Sequence, residues 1–353
     1  MLSASFERSI NMSLLRSENS SEPKQSTKNE AQNTHYNMPL PLVIVNPTSA
    51  GGATGSAWPK LASDLSSQFG PFTNEFTSKR GDAMNLAVQA CRKGITFIIA
   101  CGGDGTISEV ANGILNSGKD VELGILPRGT GGDFRRTLEI PSHSRTAARI
   151  LRTGRTRRID VGRVSFVAEN GEETTRYFLG VASCGLSTKV IERVKREGSN
   201  WLPTSTPHWL GGRASFAASL VQTAIRSQAT DIVVKLDESH ERHLSVVNFC
   251  VANARYFGGG MKIAPSAKLV DGKFDVVSVG DLSALKLMTS APRLYLGSHL
   301  SMSEVSHTLA KKVIVRASNR DEEVALEIDG ELPGRLPATF QIVPQALRVR
   351  CNA

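Results

Sequence analysis

Between residues 41 and 126 the chain alternates short apolar runs with amphipathic stretches. Leu42–Val45, Ile95–Ala100 and Val121–Leu126 are continuous apolar runs of strand length. The stretches between them have helical spacing: Trp58, Leu61, Leu65 and Phe69 first, then Ala83–Arg92, then Ile107–Leu115. Phe76–Thr77 reads as the end of a further strand. Buried strands alternating with helices predict a parallel sheet covered on both faces. Ala147–Arg152 predicts one more helix, which leads into an arginine-rich connector. The pattern then changes. Ile159–Val167, Arg176–Ala182, Asp231–Leu236, Leu244–Ala252, Phe274–Val279, Lys312–Arg316, Val324–Ile328, Thr339–Ile342 and Ala346–Val349 read as strands, most without helices between them. That predicts an antiparallel second domain, a sandwich. Two helical stretches interrupt it; the clearer has Phe216, Ala217, Leu220, Val221, Ala224 and Ile225 on one face.

The resulting division is a tail over residues 1–38, an α/β domain over 41–157 and a β-rich sandwich over 158–350, with the last residues free to return to the first domain. The tail is rich in Ser, Asn, Glu and Lys and has little to bury, so it is expected to be disordered. Leu2, Phe6, Ile10 and Leu14 form a four-residue stripe within it. A frayed tail is the plainer reading; a weak membrane or targeting contact is the other.

Composition narrows the partners. The formal charge of +9 favours something acidic: a nucleotide, an anionic membrane face or nucleic acid. No arginine–aromatic interleaving suggests a base-stacking platform, so nucleic acid is not expected. Arg149, Arg152, Arg155, Arg157 and Arg158 form the densest basic cluster, read as a solvated face with an affinity for anionic head groups as the alternative. Cys91, Cys101, Cys184, Cys250 and Cys351 are far apart, and no Cys-x-x-Cys occurs. They read as buried free thiols in a reducing, cytoplasmic setting. No apolar run has the length of a membrane span, and no secretory segment is evident.

The chemistry concentrates where strands end. Three glycine-rich turns follow the three apolar runs: Asn46-Pro47-Thr48-Ser49-Ala50-Gly51-Gly52, Gly102-Gly103-Asp104-Gly105-Thr106 and Gly129-Thr130-Gly131-Gly132-Asp133. Glycine admits positive φ and lets a ligand approach the main chain. Successive amides in such turns, and at a following helix start, attract anions. The second turn opens a helix that Thr106 or Ser108 can cap, with Glu109 in its first turn. Three such turns at the carboxyl ends of parallel strands predict a nucleotide-phosphate site. The loop is neither a Walker A sequence nor a dinucleotide fingerprint. It also lacks the signatures of a protein kinase.

These blocks, with Leu126-Pro127-Arg128 before the third turn, Phe134 after it, Gly258-Gly259-Gly260-Met261, Pro265 through Asp271-Gly272-Lys273-Phe274-Asp275, and Ile328-Asp329-Gly330-Glu331, occur in a fixed order. In that order they resemble the signature of the diacylglycerol kinase, sphingosine kinase and bacterial lipid kinase superfamily over roughly residues 41–350. Gly-Gly-Asp-Gly-Thr alone also occurs in NAD kinases and phosphofructokinase-like folds.

The resemblance implies an NAD kinase/phosphofructokinase-like α/β domain followed by a β-sandwich. It also implies ATP-dependent transfer of the γ-phosphoryl group to a lipid alcohol. Diacylglycerol leads as acceptor and a sphingoid base or ceramide follows. An NAD kinase-like enzyme and a non-catalytic lipid- or nucleotide-binding protein are the alternatives. By the same likeness ATP is held by Asn46, Pro47, Thr48, Ser49, Ala50, Thr77, Gly102, Gly103, Asp104, Gly105, Thr106, Ile107, Ser108, Gly129, Thr130 and Asp133. The carboxylate of Asp271 and the carbonyls of Lys268 and Lys273 would bind Mg2+, and oxygen ligands suit that cation. Asp104 and Asp133 would assist a catalytic Mg2+ through water. Asp329 or Glu331 would take the acceptor's proton, with Asp329 favoured by motif position. Transient contact with a membrane surface follows from such a substrate, and a homodimer stays open. The sequence departs from the family pattern at Gly132, where Asn is usual, and at Ala50, where Gly is usual. The second change is mild if φ there is negative. Two further features have plain readings. His240-x-x-His243 reads as a solvated hairpin. Trp201 and Trp209 read as a core edge, or as a lipid-facing lip.

Overall fold

The computed structural model describes residues 39–129, 131–197 and 229–352. The expectations for the tail, for Thr130, for Trp201 and Trp209 and for the stretch from Phe216 to Ile225 fall outside these residues. The first half is built as the apolar runs predict. Strands β1 (Leu42–Val45), β2 (Thr73–Phe76), β3 (Phe97–Gly102) and β4 (Glu122–Pro127) alternate with helices α1 (Ala53–Gln68), α2 (Asp82–Arg92) and α3 (Asp104–Ser117). All four strands are parallel, in the order β2-β1-β3-β4. The glycine turns after β1, β3 and β4 therefore open at one edge of the sheet. Ile44, Ile98, Ile99, Leu123 and Ile125 form the centre of the core. A short helix α4 (Asp133–Thr137) and a longer α5 (Ser144–Thr153) follow.

The second half is antiparallel. Strands β5 (Arg155–Ala168), β6 (Glu173–Phe178), β7 (Val181–Gly185), β8 (Thr230–Leu236), β9 (Arg242–Ala252), β10 (Phe274–Gly280), β11 (Val305–Ala310), β12 (Lys312–Ala317), β13 (Ala325–Ile328) and β14 (Glu331–Cys351) carry it, with helices α6 (Leu186–Glu197) and α7 (Ala284–Leu296). Pairing runs from β7 through β9, β8, β12, β14 and β13 back to β7, so this part of the ladder closes on itself. Phe178 stacks on Phe274 and meets Phe340 edge-on in the enclosed core. β14 also pairs in parallel with β4, so the end of the chain completes the first sheet.

Four expectations are corrected. The connector at Arg155–Arg158 is no loop: it is the exposed start of β5, paired with the end of β14. Thr339–Ile342 and Ala346–Val349 belong to one long strand with an irregular step between Val343 and Leu347. Arg176–Ala182 is two strands, broken at Leu179 and Gly180, whose amides leave the ladder to donate to Asp329. Lastly, two helical stretches were expected but only one was placed, so α6, α7 and β11 had no assigned residues; Ala284–Leu296 mixes Lys, Thr, Ser and Pro into its apolar pattern.

Candidate active site

The first turn is held from within. Asn46 Oδ1 accepts from the Thr48 amide (3.1 Å) and hydroxyl (2.8 Å), while Ser49 Oγ donates to Asn46 O and to Thr54 Oγ1. The Pro47 carbonyl accepts from the Gly55 amide at 3.0 Å. Asn46 Nδ2 reaches across to Thr106 Oγ1 at 3.0 Å and ties this turn to the second. Ala50 has φ of 53°, so the condition on which its substitution was mild fails. It occupies the left-handed region that glycine tolerates best. Thr77 lies just past β2, buried, with its amide on the Val45 carbonyl at the mouth of β1.

The second and third turns touch. A Cβ on Gly129 would stand 2.6 Å from the Gly103 Cα, so the approach needs glycine at 129, while a Cβ on Gly103 would make ordinary contact at 3.5 Å. Asp104 accepts from the amides of Gly132 (2.6 Å) and Phe134 (3.3 Å), which fixes the third turn to the start of α3. Gly132 has φ of 65°, a conformation that suits glycine as well as the usual asparagine. Asp133 accepts from Gly259 N (2.8 Å) and pairs with Arg136 (2.7 Å). Burial raises its pKa, with Asp104 adding to the rise against those two donors. Both oxygens of each carboxylate are thus engaged by the protein.

Neither predicted cap of α3 is used as one. Its N-cap is Gly103 with no side-chain cap. Thr106 Oγ1 is taken by Asn46, and Ser108 Oγ donates to Asp329 Oδ2 at 3.1 Å. Glu109 instead turns to the neighbouring helix and accepts from the Gly81 and Ala83 amides at the start of α2. Among the described residues the first-turn amides of α3 therefore have no side-chain partner at the positive end of the helix. In the third turn Arg128 Nε is buried with no partner among the described residues. Uncapped amides, an unsatisfied guanidinium nitrogen and main chain exposed at glycines suit the phosphates of a nucleotide.

The acidic segment arrives from the second half. Ile328 pairs with Glu331 across a two-residue turn in which Asp329 and Gly330 both have positive φ, 49° and 84°. Asp329 Oδ1 accepts from Gly180 N (2.8 Å), and Oδ2 from Leu179 N (3.0 Å) and Ser108 Oγ. Burial pushes its pKa up against these donors and the nearby Arg176. Glu331 differs. Its Oε2 pairs with Arg176 (2.6 Å) and Arg80 (2.8 Å), while its Oε1 is 3.9 Å from where a Cβ on Gly105 would be. Burial alone would raise its pKa, but the two guanidiniums outweigh that and lower it. Arg80 and Arg176 escaped the sequence reading. Arg80 directly precedes Gly81-Asp82, and a basic residue beside a glycine turn just after a strand was a usable signal. Nothing local marks Arg176, which meets Glu331 only through the fold.

Lys268, Asp271 and Lys273 share one exposed loop before β10. Asp271 Oδ1 accepts from Lys273 N at 3.2 Å, and buried Asp160 pins the loop through Gly272 N at 2.7 Å. The loop offers one carboxylate with main-chain carbonyls, an all-oxygen set that fits Mg2+. Among the described residues no three His, Cys, Asp or Glu side chains gather as a metal cluster; His240 and His243 are exposed. All five cysteines are free and buried.

Beside the Gly258–Gly260 loop lies an apolar pocket that is partly open to solvent. Leu186, Val190, Val247, Phe257, Met261 and Ile263 line it, and Ser187 and Asn248 are its polar wall. The loop thus presents Gly259 N to Asp133 and Phe257 and Met261 to the pocket.

Comparison with known proteins agrees with this geometry. Residues 41–164 match the diacylglycerol kinase catalytic domain, and residues 199–351 match the YegS C-terminal NAD kinase beta sandwich-like domain. A diacylglycerol kinase of Mycobacterium tuberculosis is 32% identical over 271 residues, covering 76% of this chain and 81% of the relative. The chain belongs to the diacylglycerol kinase family. A diacylglycerol kinase of Bacillus subtilis is 31% identical over 265 residues, covering 75% of this chain and 80% of the relative. A solved diacylglycerol kinase structure from Bacillus anthracis str. Sterne shares the fold with a TM-score of 0.64 at 22% identity, covering 89% of this chain and 97% of that one. Membership makes this α/β-plus-sandwich chain a lipid kinase by family. No helix among the described residues is long and apolar enough to cross a membrane.

Proposed function

We propose that this chain is an ATP-dependent diacylglycerol kinase that produces phosphatidic acid. One observation carries the reading: Glu331 sets one free carboxylate oxygen against Gly105, at the mouth of the uncapped α3 start. When bound, ATP supplies the γ-phosphoryl group and Mg2+ neutralises charge on its phosphates. The amides of the three glycine turns and Arg128 Nε bind and orient those phosphates. Lys268, Asp271 and Lys273 would hold a structural Mg2+. Glu331 accepts the hydroxyl proton as the lipid oxygen forms its bond to phosphorus; the bond to the bridging oxygen breaks and ADP leaves. Its lowered pKa keeps it ionised at neutral pH, and among the described residues its Oε1 has no hydrogen bond to surrender. Asp329, with both oxygens occupied, anchors the turn. Arg80 and Arg176 stand where they can turn from Glu331 to incoming negative charge, since phosphoryl transfer depends mainly on positioning and charge. The pocket beyond Phe257 and Met261 takes the acyl part of the acceptor. Such an acceptor lives in a bilayer, so the reading includes transient contact with a membrane surface.

The test is transfer of γ-label from Mg-ATP to diacylglycerol, sphingosine, ceramide or NAD offered in parallel. Label in phosphatidic acid is expected. Label only in another acceptor, or in none, rejects the proposal. Glu331→Gln should lower kcat by about a hundredfold or more, in line with loss of a general base. Asp329→Asn should disturb both kcat and stability, because it replaces an acceptor oxygen of a three-donor clamp. If Glu331→Gln stays near wild-type rates while Asp329→Asn is inactive, the proton goes to Asp329.

A further inference from the structure

Glu327 is a buried acid that none of the roles above uses. It lies on β13 opposite Ser183 of β7, with 4% of its surface exposed. Its Oε1 accepts from the Gly330 amide at 2.6 Å, and its Oε2 accepts from Ser183 Oγ. Ser183 Oγ meets Ser187 Oγ at 2.7 Å. Ser187 in turn reaches Asn248 Oδ1 through its amide (3.0 Å) and hydroxyl (2.9 Å). Ser187 and Asn248 line the apolar pocket. A continuous chain of polar contacts therefore runs from the pocket wall to the middle of the Asp329–Gly330–Glu331 turn.

Among the described residues no cation relieves this carboxyl. The groups that face it are Asp329, Asp133 and the Cys250 thiol, and burial raises its pKa to about 7 against the two hydrogen bonds it accepts. A buried acid without a positive partner is costly, and an apolar residue would serve the sheet better. The turn it grips is the one that needs a grip. Asp329 is a non-glycine residue in the left-handed region, and on the opposite side it is clamped by Leu179 N, Gly180 N and Ser108 Oγ. Two acids thus hold the turn from two sides, and Glu331 follows it immediately.

We infer that Glu327 is a positioning residue: it fixes the Gly330 amide, and with it the placement of Glu331 over Gly105. The inference rests on the lipid-kinase reading for its kinetic consequence, but the grip itself can be measured without any substrate. The test combines amide hydrogen exchange at Gly330 with steady-state kinetics. In Glu327→Leu the amide has no acceptor, so its exchange rises about tenfold and kcat falls about tenfold, the size expected for one strong hydrogen bond. The KM for ATP stays within about twofold, because the glycine turns are untouched. Glu327→Gln keeps an acceptor oxygen and restores both exchange protection and most of kcat. Ser183→Ala frees the second carboxylate oxygen and gives a smaller change, about threefold, in both readouts.

An unchanged Gly330 exchange rate and kcat in folded Glu327→Leu overturns the inference. So does an equal deterioration of kcat and of KM for ATP, which marks general damage. If the leucine variant does not fold, Ser183→Ala decides: no change in either readout overturns the inference. A protein that transfers no phosphate to any lipid, yet shows this exchange pattern, rejects the function proposed above and leaves the grip standing.

Discussion

Ala50 and Gly132 occupy matched backbone conformations with unmatched residues. Both have positive φ, 53° and 65°. A left-handed conformation costs an L-residue about 1–2 kcal/mol, and glycine returns part of that gain through its greater unfolded-state freedom. Ala50→Gly is therefore expected to stabilise the protein by about 0.5 kcal/mol, read as a higher urea midpoint with unchanged slope. Gly132→Ala goes the other way. It acquires the left-handed cost, and its Cβ would stand 2.6 Å from Arg135 Nε. A loss of about 1–2 kcal/mol is expected. Gly132→Asn should lose less, because asparagine visits this region more readily. At this scale the sequence was informative about which residues matter and silent about what each touches. The glycine blocks are contiguous, so their spacing reveals them. Arg176 acts through Glu331, a partner far away in sequence, and no local pattern marks it.

At the scale of elements, hydrophobic period located most strands and helices, while the ends were decided by contacts between elements. Glu109 illustrates this. It looks like a first-turn acid of its own helix, yet its carboxylate accepts from Gly81 and Ala83 at the start of α2. Glu109→Ala strands two amides of a neighbouring helix and should cost about 1–2 kcal/mol in chemical denaturation, with Glu109→Gln recovering most of it. Gly113 is a second case. Glycine inside a helix normally costs about 1 kcal/mol against alanine. Here a Cβ would stand 2.5 Å from the Met84 carbonyl and 2.6 Å from the Ala87 Cβ, so α2 and α3 can pack only because it is missing. Gly113→Ala should destabilise by about 1–3 kcal/mol despite its better propensity. The broken strand at Leu179–Gly180 follows the same logic. Its apolar pattern is continuous, and only the carboxylate of a distant turn explains why two amides leave the ladder.

Across the whole molecule, the two halves are joined by the last strand, whose role in the first sheet no local pattern could establish. β14 runs from the enclosed core of the second half to β4 in the first, where Leu347 and Val349 join the core of the α/β sheet. Arg350 secures this return. Its Nε and Nη2 donate to the two oxygens of Glu122 at 2.6 and 2.8 Å, its Nη1 donates to the Leu151 carbonyl, and its guanidinium lies 4.9 Å from the centre of the Phe97 ring. Glu122 is buried, and burial alone would raise its pKa. The Arg350 fork and the Thr156 hydroxyl outweigh that and hold it below its ordinary 4.5. A carboxyl whose pKa is lowered on folding contributes stability that is present above its unfolded value and is lost as pH falls through the folded one. In Arg350→Met the acid stays buried with only the more distant Arg348 at 3.8 Å as a cation, and a loss of about 3 kcal/mol is expected at pH 7. Its pKa then moves up instead of down, so protonation relieves the variant while it weakens the wild type. The gap between the two proteins should therefore shrink as pH is lowered from 7 towards 4, measured by urea denaturation at each pH. Glu122→Leu combined with Arg350→Met should recover most of the loss, because no charge is left buried alone. A gap that stays constant with pH would mean that packing of the Arg350 stem, rather than its charge, holds β14 to the first sheet.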